Sequence, residues 1–487
     1  MTRLSKSKIM SALQCPKRVH LEVHRRDLID YSAAREAIFQ LGHDVGDIAI
    51  SIYDDGNGTF IEYKGGSLAP ALAQTNHLMD SLIKTPVFEA TLQHEDVLVR
   101  EDVLLPDGDS WRIVEVKAST SVKPQYLEDC AVQAWVHIGA GYPLSSIALA
   151  HIDNQFVYQG DGNYDGLLLE NDLTEKVMEL QPMVPVWARH AREAIAGPEP
   201  KIAVGQHCTS PYECPFIDYC WPGDTDYPIR GMGGSRKKLG EWVACGYHDI
   251  REVPTDLITS ENQLRIHRVT CEGKAELLPG AREWAKGLPY PRYYLDFETT
   301  GAAIPVWKGT RPYEGLPFQY SCHIEDGPGQ MRHAEFLDLA ATPPMHPLAE
   351  KMITDLGTNG PILMYTDFEK RVINKLIGLS PDLADDLNGL VARLVDLKPV
   401  VKGHYYHPDM LGSWSIKDVL PCIAPDMNYG DLEGVAEGMA AANAYLDAIK
   451  ADTDPAESAR IEEELRTYCR FDTEAMVRIV HFFENPA

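Results

Sequence analysis

Three observations predict a mixed α/β chain built from two separate regions. The 487 residues exceed the roughly 100–200 of a single domain, and 44% apolar with 24% charged content matches folded globular chains. Strand-like runs bounded by turn residues occur over 87–118 and again from 291, each followed by helical periodicity. Between them, 222–290 opens on the breaker-rich PGDTDYPIRGMGGSRKK and continues in short helical pieces. The expected division is 1–225, a connector over 226–285, and 286–487.

Residues 1–28 read as one basic helix, and 33–51 (AAREAIFQLGHDVGDIAIS) as a second with apolar positions at helical spacing. VFEATLQ, DVLVREDVLL and SWRIVEVKAS read as strands, parted by polar breaks such as Pro106-Asp107-Gly108-Asp109. A helix is expected over 125–140 (QYLEDCAVQAWVHIGA), a strand over 146–152 (SIALAHI) and a helix over 171–196. The connector resembles helix–hairpin–helix elements that grip nucleic-acid backbone, with a plain spacer as the alternative. In the second region RYYLDFETT, LPFQYSCHI and GPILMYTD read as strands and FEKRVINKLIGL as a helix. Two helices close the chain, over 433–451 and 456–483.

Charge excludes less than it first suggests. Forty-five basic and 72 acidic residues give a net charge of -27, the wrong sign for a nucleic-acid surface. Yet residues 1–40 carry eight basic and four acidic residues, and carboxylates that ligate metal ions help to bind phosphate. No apolar run approaches the roughly 18 residues of a membrane span, and the basic N-terminus lacks the apolar run of a signal peptide, so a cytoplasmic enzyme with no membrane partner is expected.

Three groups of residues carry chemistry. In WRIVEVKAS, Glu115 and Lys117 lie two apart on a strand and share a face, and Asp102 lies thirteen residues upstream on the neighbouring strand. Two carboxylates suit Mg²⁺ or Mn²⁺, and a lysine beside them can orient water or stabilise charge on phosphorus. Gln133 in the following helix reaches the same sheet edge, with Glu89 and His43 as weaker candidates. A solvated face is the competing account of an E-x-K pair. Asp102, Glu115-x-Lys117 and Gln133 together resemble the PD-(D/E)XK nucleases of the RecB-type superfamily, which implies a restriction-endonuclease-like fold, metal at Asp102 and Glu115, and catalytic roles for Lys117 and Gln133.

Cys15 stands far from Cys208, Cys214 and Cys220, whose C-x5-C-x5-C spacing is unlike zinc-ribbon knuckles. Four such thiolates hold either an iron–sulfur cluster or tetrahedral zinc, and they tie the two ends of a domain together. RecB-type nucleases with an iron–sulfur staple, AddB-type subunits and CRISPR-adaptation nucleases among them, share this split arrangement. The resemblance implies a structural [4Fe–4S] cluster, with Zn²⁺ as the alternative. The other six cysteines read as core residues.

YYLDFETT places Asp296 and Glu298 on one face of an apolar strand, where both are expensive to bury without a metal. TYCRFDTEAM puts Tyr468 and Asp472 at i and i+4 on a helix, and MYTDFEKRV places Glu369 just after a strand end, with Asp367 as an alternative ligand. A capped strand end and a surface helix are the competing accounts. The set resembles the DnaQ-like 3′–5′ exonucleases of the DEDD class, in its tyrosine variant, which implies an RNase H-like fold. Asp296, Glu298, Glu369 and Asp472 would then hold two Mg²⁺ or Mn²⁺ ions, and Tyr468 would orient the attacking water. Thr366 stands where that family usually shows Asn. In GSWSIKDVLP, Ser413, Ser415 and Lys417 are candidate phosphate contacts, against a plain helix N-cap at Ser415.

The pairing of the two resembles a bacterial family of fusion proteins. It implies a nuclease hydrolysing DNA at single strands or ends, in DNA repair, end processing or defence. An RNA-processing exonuclease and a nucleic-acid-binding scaffold with inactive sites remain the alternatives.

Overall fold

Residues 3–29, 33–63, 65–432, 434–435 and 437–485 are described by a computed structural model. The chain is mixed α/β with several sheets, and it divides into two units. The first comprises Met1–Trp221 with Ala302–Tyr313, the second Pro222–Gly301 with Glu314–Ala487. The stretch 226–285, read as a connector, packs as part of the second unit.

In the first unit β1 (Leu4–Ser5) leads directly into α1 (Lys6–Gln14), whose N-cap Ser5 accepts from the Lys8 amide at 3.3 Å. The single helix expected over 1–28 is instead two, and its residues 1 and 2 lie outside the described residues. Pro16 cannot continue the hydrogen-bond ladder and disfavours helical backbone before it, so Cys15 is extended (φ -163°, ψ 119°) and α2 (Pro16–His24) starts afresh. Then come α3 (Ala33–Tyr53), β2 (Thr59–Phe60) and α4 (Ala69–Met79), the last not expected from sequence. The meander follows as β3 (Val87–His94), β4 (Val97–Asp107) and β5 (Ser110–Lys117), then α5 (Pro124–Gly139) and β6 (Leu144–Ile152). In place of one helix over 171–196 there is β7 (Leu168–Asp172), α6 (Thr174–Leu180) and α7 (Val184–Ala196), because Asp172 turns the chain by accepting from the Thr174 amide at 2.8 Å. α8 (Ile217–Cys220) closes the cysteine-bearing segment.

Strand order is β2-β3-β4-β5-β6-β7, with β1 parallel to β4. The edge of β4 that faces β5 is shared. β5 pairs with Val103–Asp107 and β1 with Val97 and Leu98, while β3 occupies the opposite edge. Residues 99–102 are left between the two partners, and the first site forms in that gap. Leu92, Val99, Ile113, Ile147 and the apolar face of α5 (Cys130, Ala134) form the core beneath it.

The second unit begins with α9 (Arg236–Ala244), α10 (Glu261–Glu272), β8 (Glu276–Leu277) and α11 (Gly280–Lys286). Its main sheet is built from β9 (Arg292–Thr300), β10 (Leu316–Gly327) and β11 (Gln330–Leu337), then, after α12 (Met345–Leu356), β12 (Ile362–Met364). α13 (Phe368–Leu379) and α14 (Ala384–Val391) precede β13 (Leu394–Asp396), α15 (Leu397–His404) and β14 (Tyr405–Tyr406), which pairs with β8. α16 (Ile416–Ile423), α17 (Gly438–Ala448) and α18 (Pro455–Glu484) complete it; residues 433 and 436, within the first closing helix expected from sequence, lie outside the described residues.

Sheet order is β11-β10-β9-β12-β13, antiparallel through β9 and parallel beyond it. β9 is central and covered on both faces, which is why it reads as a near-continuous apolar run. Asp454 caps α18 by accepting from the Ala456 amide at 2.8 Å, with Pro455 in its first turn. That helix is pinned across the sheet: Gln319 Nε2 donates to Leu465 O at 2.9 Å, and Thr473 Oγ1 lies 2.9 Å from Ser321 Oγ and 2.8 Å from His323 Nδ1.

Candidate active sites

Helix α18 sets the site of the second unit. Its pinning turns Tyr468, Cys469 and Asp472 toward β9, where Asp296 and Glu298 project from one face. One oxygen each of Asp296 and Glu298 and the Cys469 sulfur lie within 4.8 Å of one another, the one group of potential metal ligands that close among the described residues. Cys469, expected to be a plain core residue, is buried in this cluster with its thiol 3.6 Å from Asp296 Oδ2. Glu369 joins from the first turn of α13, 3% exposed and with Oε2 lacking a hydrogen-bond partner. Asp367, the alternative ligand, stands at the N-cap position of α13 without a capping hydrogen bond and faces solvent beside Arg371 at 3.6 Å. Thr366 Oγ1 accepts from the Phe368 amide at 3.1 Å, so this residue shapes the turn that starts the helix.

Four carboxylates in one buried place repel. Burial, then Asp472, Glu298 and Glu369, hold the Asp296 carboxyl well above the usual range, and burial with Asp472 does the same to Glu298. Burial pushes Glu369 up to about 7 and Asp472 up to about 6, the latter restrained by a hydrogen bond from Tyr429 and by Lys417. Burial and Asp472 push the Tyr468 phenol up, so it stays an O–H donor. Lys417 lies 5.2 Å from the Tyr429 ring centre and 5.7 Å from that of Tyr468. Ser415 caps α16 and Ser413 Oγ accepts from the Ser415 amide at 3.1 Å, so both serines serve the local turn while Lys417 faces the acids.

In the first unit Asp102 and Glu115 meet at the gap in the β4 edge. β5 has left β4 beyond Val114, and the Val116 amide donates instead to Asp102 Oδ2 at 2.8 Å. Glu115 accepts from Lys117 on one oxygen and from Gln133 on the other. Gln133 is fully buried and its Oε1 lacks a hydrogen-bond partner. Burial and the neighbouring Glu115 push Asp102 up to about 8. Burial also acts upward on Glu115, but Lys117 and Lys6 outweigh it and hold that carboxyl below the usual range.

Two residues of this site were not anticipated. Lys6 lies 2.9 Å from Glu115 Oε1 and 2.9 Å from Asp129 Oδ1, and Lys117 lies 2.9 Å from Asp129 Oδ2. Asp129 and Gln133, one helical turn apart on α5, carried a signal in their i, i+4 spacing; Lys6 carried none. Glu89 has a left-handed backbone (φ 57°) inside β3 and pairs with Arg100 at 3.0 Å, and His43 is exposed on α3.

The split cysteines come together. Cys15 feels the charge of Cys208, Cys214 that of Cys220 and Cys15, and Cys220 that of Cys208 and Cys15. Burial is the main cause that raises each of these three thiols, Cys214 to about 11. The Cys214 amide donates to Cys208 O at 2.8 Å, closing the loop, and Gly205 N–H points at Cys208 Sγ at 3.5 Å. Of the cysteines expected in the core, Cys130, Cys322 and Cys469 are buried, but Cys245 and Cys271 are exposed and Cys422 is half-buried. The first two sit on helix-end and helix-surface positions that packing leaves open.

A family model described as a domain of unknown function, DUF2779, matches residues 293–415, about a quarter of the chain. That span takes in Asp296, Glu298 and Glu369 and stops before Tyr468 and Asp472. Among solved structures, one described as the crystal structure of SSO0001 is similar over 40% of this chain and 76% of its own, at 14% identity and a TM-score of 0.22. No curated protein matches the chain. No helix among the described residues is long and apolar enough to cross a membrane.

Proposed function

We propose that the chain is a divalent-metal-dependent nuclease that hydrolyses phosphodiester bonds, in DNA by preference, at single strands or ends, with roles in repair, end processing or defence. The observation that carries this reading is the convergence of Asp296, Glu298, Glu369, Asp472 and Tyr468 in one buried place, from one strand and two helices far apart in sequence. A structure does not collect four mutually repelling carboxylates for stability, since each is costly to bury unpaired. Bound Mg²⁺ or Mn²⁺ would supply Lewis-acid activation of water and neutralise charge on the phosphate. The four carboxylates are the residues that would hold them, and Tyr468, protonated throughout the working pH range, would orient the attacking water. This supports a DnaQ-like 3′–5′ exonuclease unit of RNase H-like fold.

In the first unit Asp102 and Glu115 would hold a cation, Lys117 would stabilise charge developing on phosphorus, and Gln133 would keep Glu115 turned toward the gap. This supports a RecB-type PD-(D/E)XK unit. The four cysteines would hold a structural [4Fe–4S] cluster, with Zn²⁺ as the alternative.

The test is a cleavage assay on 5′- and 3′-labelled single- and double-stranded DNA and RNA, comparing wild type with Asp102→Ala and Asp296→Ala. Metal-dependent stepwise loss from 3′ ends that disappears in Asp296→Ala is expected. Preference for RNA would move the reading to RNA processing. Binding with no cleavage under any metal would leave a scaffold and refute the nuclease.

A further inference from the structure

The first site contains a second, half-buried cation that the two-carboxylate, one-lysine pattern does not require. We infer that Lys6 is a positioning residue of that site, holding Glu115 and Asp129 so that Lys117 is presented to the reacting phosphate; the inference rests on the nuclease reading of the first unit.

The four side chains form a closed ring. Lys6 Nζ lies 2.9 Å from Glu115 Oε1 and 2.9 Å from Asp129 Oδ1. Lys117 Nζ lies 2.9 Å from Asp129 Oδ2 and contacts the same Glu115 oxygen as Lys6. Asp129 thus gives one oxygen to each lysine, and Glu115 keeps its second oxygen for Gln133. Two positive and two negative charges balance. Without Lys6, Glu115 and Asp129 would share the single ammonium of Lys117, and their unpaired oxygens would hold it more tightly against the ring. The Lys6 side chain is only 18% exposed, so a solvated surface role does not describe it.

Its place is set by structure at both ends of α1. At one end β1 pairs with Val97 and Leu98, so Lys6 enters the gap from the strand edge itself. At the other, Gln14 Nε2 donates to His207 O at 2.8 Å and Tyr212 O at 2.7 Å, in the loop that carries Cys208 and Cys214, and Cys15 caps the helix. Helix α1 is therefore a strut between the cysteine site and the carboxylate site.

The test uses the full chain with Asp296→Asn, so that cleavage reports the first unit, and adds Lys6→Met or Lys6→Arg. Lys6→Met should lower kcat by about 10- to 100-fold, the usual effect of removing a partner that orients metal-binding residues. Mn²⁺ binding, measured by titration with electron paramagnetic resonance, should tighten at least about threefold, because a positive charge beside Glu115 has been removed. Melting of Lys6→Met should fall, because Glu115 and Asp129 lose a cation, and Lys6→Arg should recover most of the lost rate. A merely structural lysine would instead weaken Mn²⁺ binding, which would overturn the inference, as would wild-type kcat in Lys6→Met. If Asp296→Asn itself cleaves nothing, the nuclease reading of the first unit fails; the Mn²⁺ titration still decides Lys6, and unchanged or weaker binding overturns its role.

Discussion

Asp472→Asn isolates the electrostatic cost of the second site. Burial pushes the Asp472 carboxyl up to about 6 from an ordinary 3.8, against the hydrogen bond from Tyr429 and the charge of Lys417. Below about pH 4 the group is protonated in the folded and unfolded chain alike, and it costs nothing. As pH rises to about 6, the unfolded chain ionises freely while the folded one resists, so stability falls by about 3 kcal/mol and then stays level. Asparagine carries no charge at any pH and keeps an oxygen for the Tyr429 hydroxyl. With chelator present at about pH 7.5, Asp472→Asn should therefore be more stable than wild type by up to about 3 kcal/mol, or roughly 6–12 °C in the melting of a unit this size. The gain should vanish near pH 4. Mn²⁺ at a hundredfold excess over its Kd should narrow the gap, since wild type gains about 2.7 kcal/mol and the variant gains less. Thermal melts at three pH values, with and without metal, measure all of this. A variant that is no more stable than wild type at about pH 7.5, or whose gain persists unchanged at about pH 4, would refute the account.

Three further outcomes are expected. Asp102, pushed up to about 8 by burial and Glu115, must lose its proton to ligate a cation, so Mn²⁺ affinity of the first site should rise with pH up to that value and level off; titrations in Asp296→Asn that are flat with pH contradict this. Wild-type protein purified without oxygen should be brown, with thiolate-to-iron absorption near about 400 nm, and Cys220→Ser should lose both colour and stability of the first unit; a colourless zinc protein would replace the cluster assignment. Lys117→Met in Asp296→Asn should reduce cleavage by about 10²- to 10³-fold in kcat, the size of a lost charge-stabilising group, as steady-state assays would read.

The parts legible in sequence were those written in local pattern. An apolar strand interrupted by Asp296 and Glu298, a helix face bearing Tyr468 and Asp472, and E-x-K at Glu115 and Lys117 all depend on periods of two or 3.6 residues that any reader of the chain can apply. Helix α13 was expected with its observed bounds because a turn and an amphipathic run coincide at Phe368–Leu379. Strand β11 escaped because its first residues are exposed and its face carries no alternation, as befits an edge. Strand β7 escaped, with only its last two residues falling in the helix expected over 171–196, because LLEND is too short and acidic to show a strand period.

By itself the sequence determined which residue types lie near each other along the chain: the carboxylate pairs, the C-x5-C-x5-C run, the early Cys15. Tertiary structure alone decided which of them meet. A first-turn lysine looks like a solvated face until a two-residue strand, β1, docks on β4 and points it at Glu115. Asp367 and Glu369 are equivalent in composition, yet the start of α13 turns one to solvent and the other into the acidic cluster. Tyr429 and Cys469 acquire partners in Asp472 and Asp296 only once α18 is pinned over β9 and β10. Local conformation follows from backbone sterics and side-chain period, whereas the meeting of distant carboxylates follows from which faces pack, and packing is a property of the whole unit.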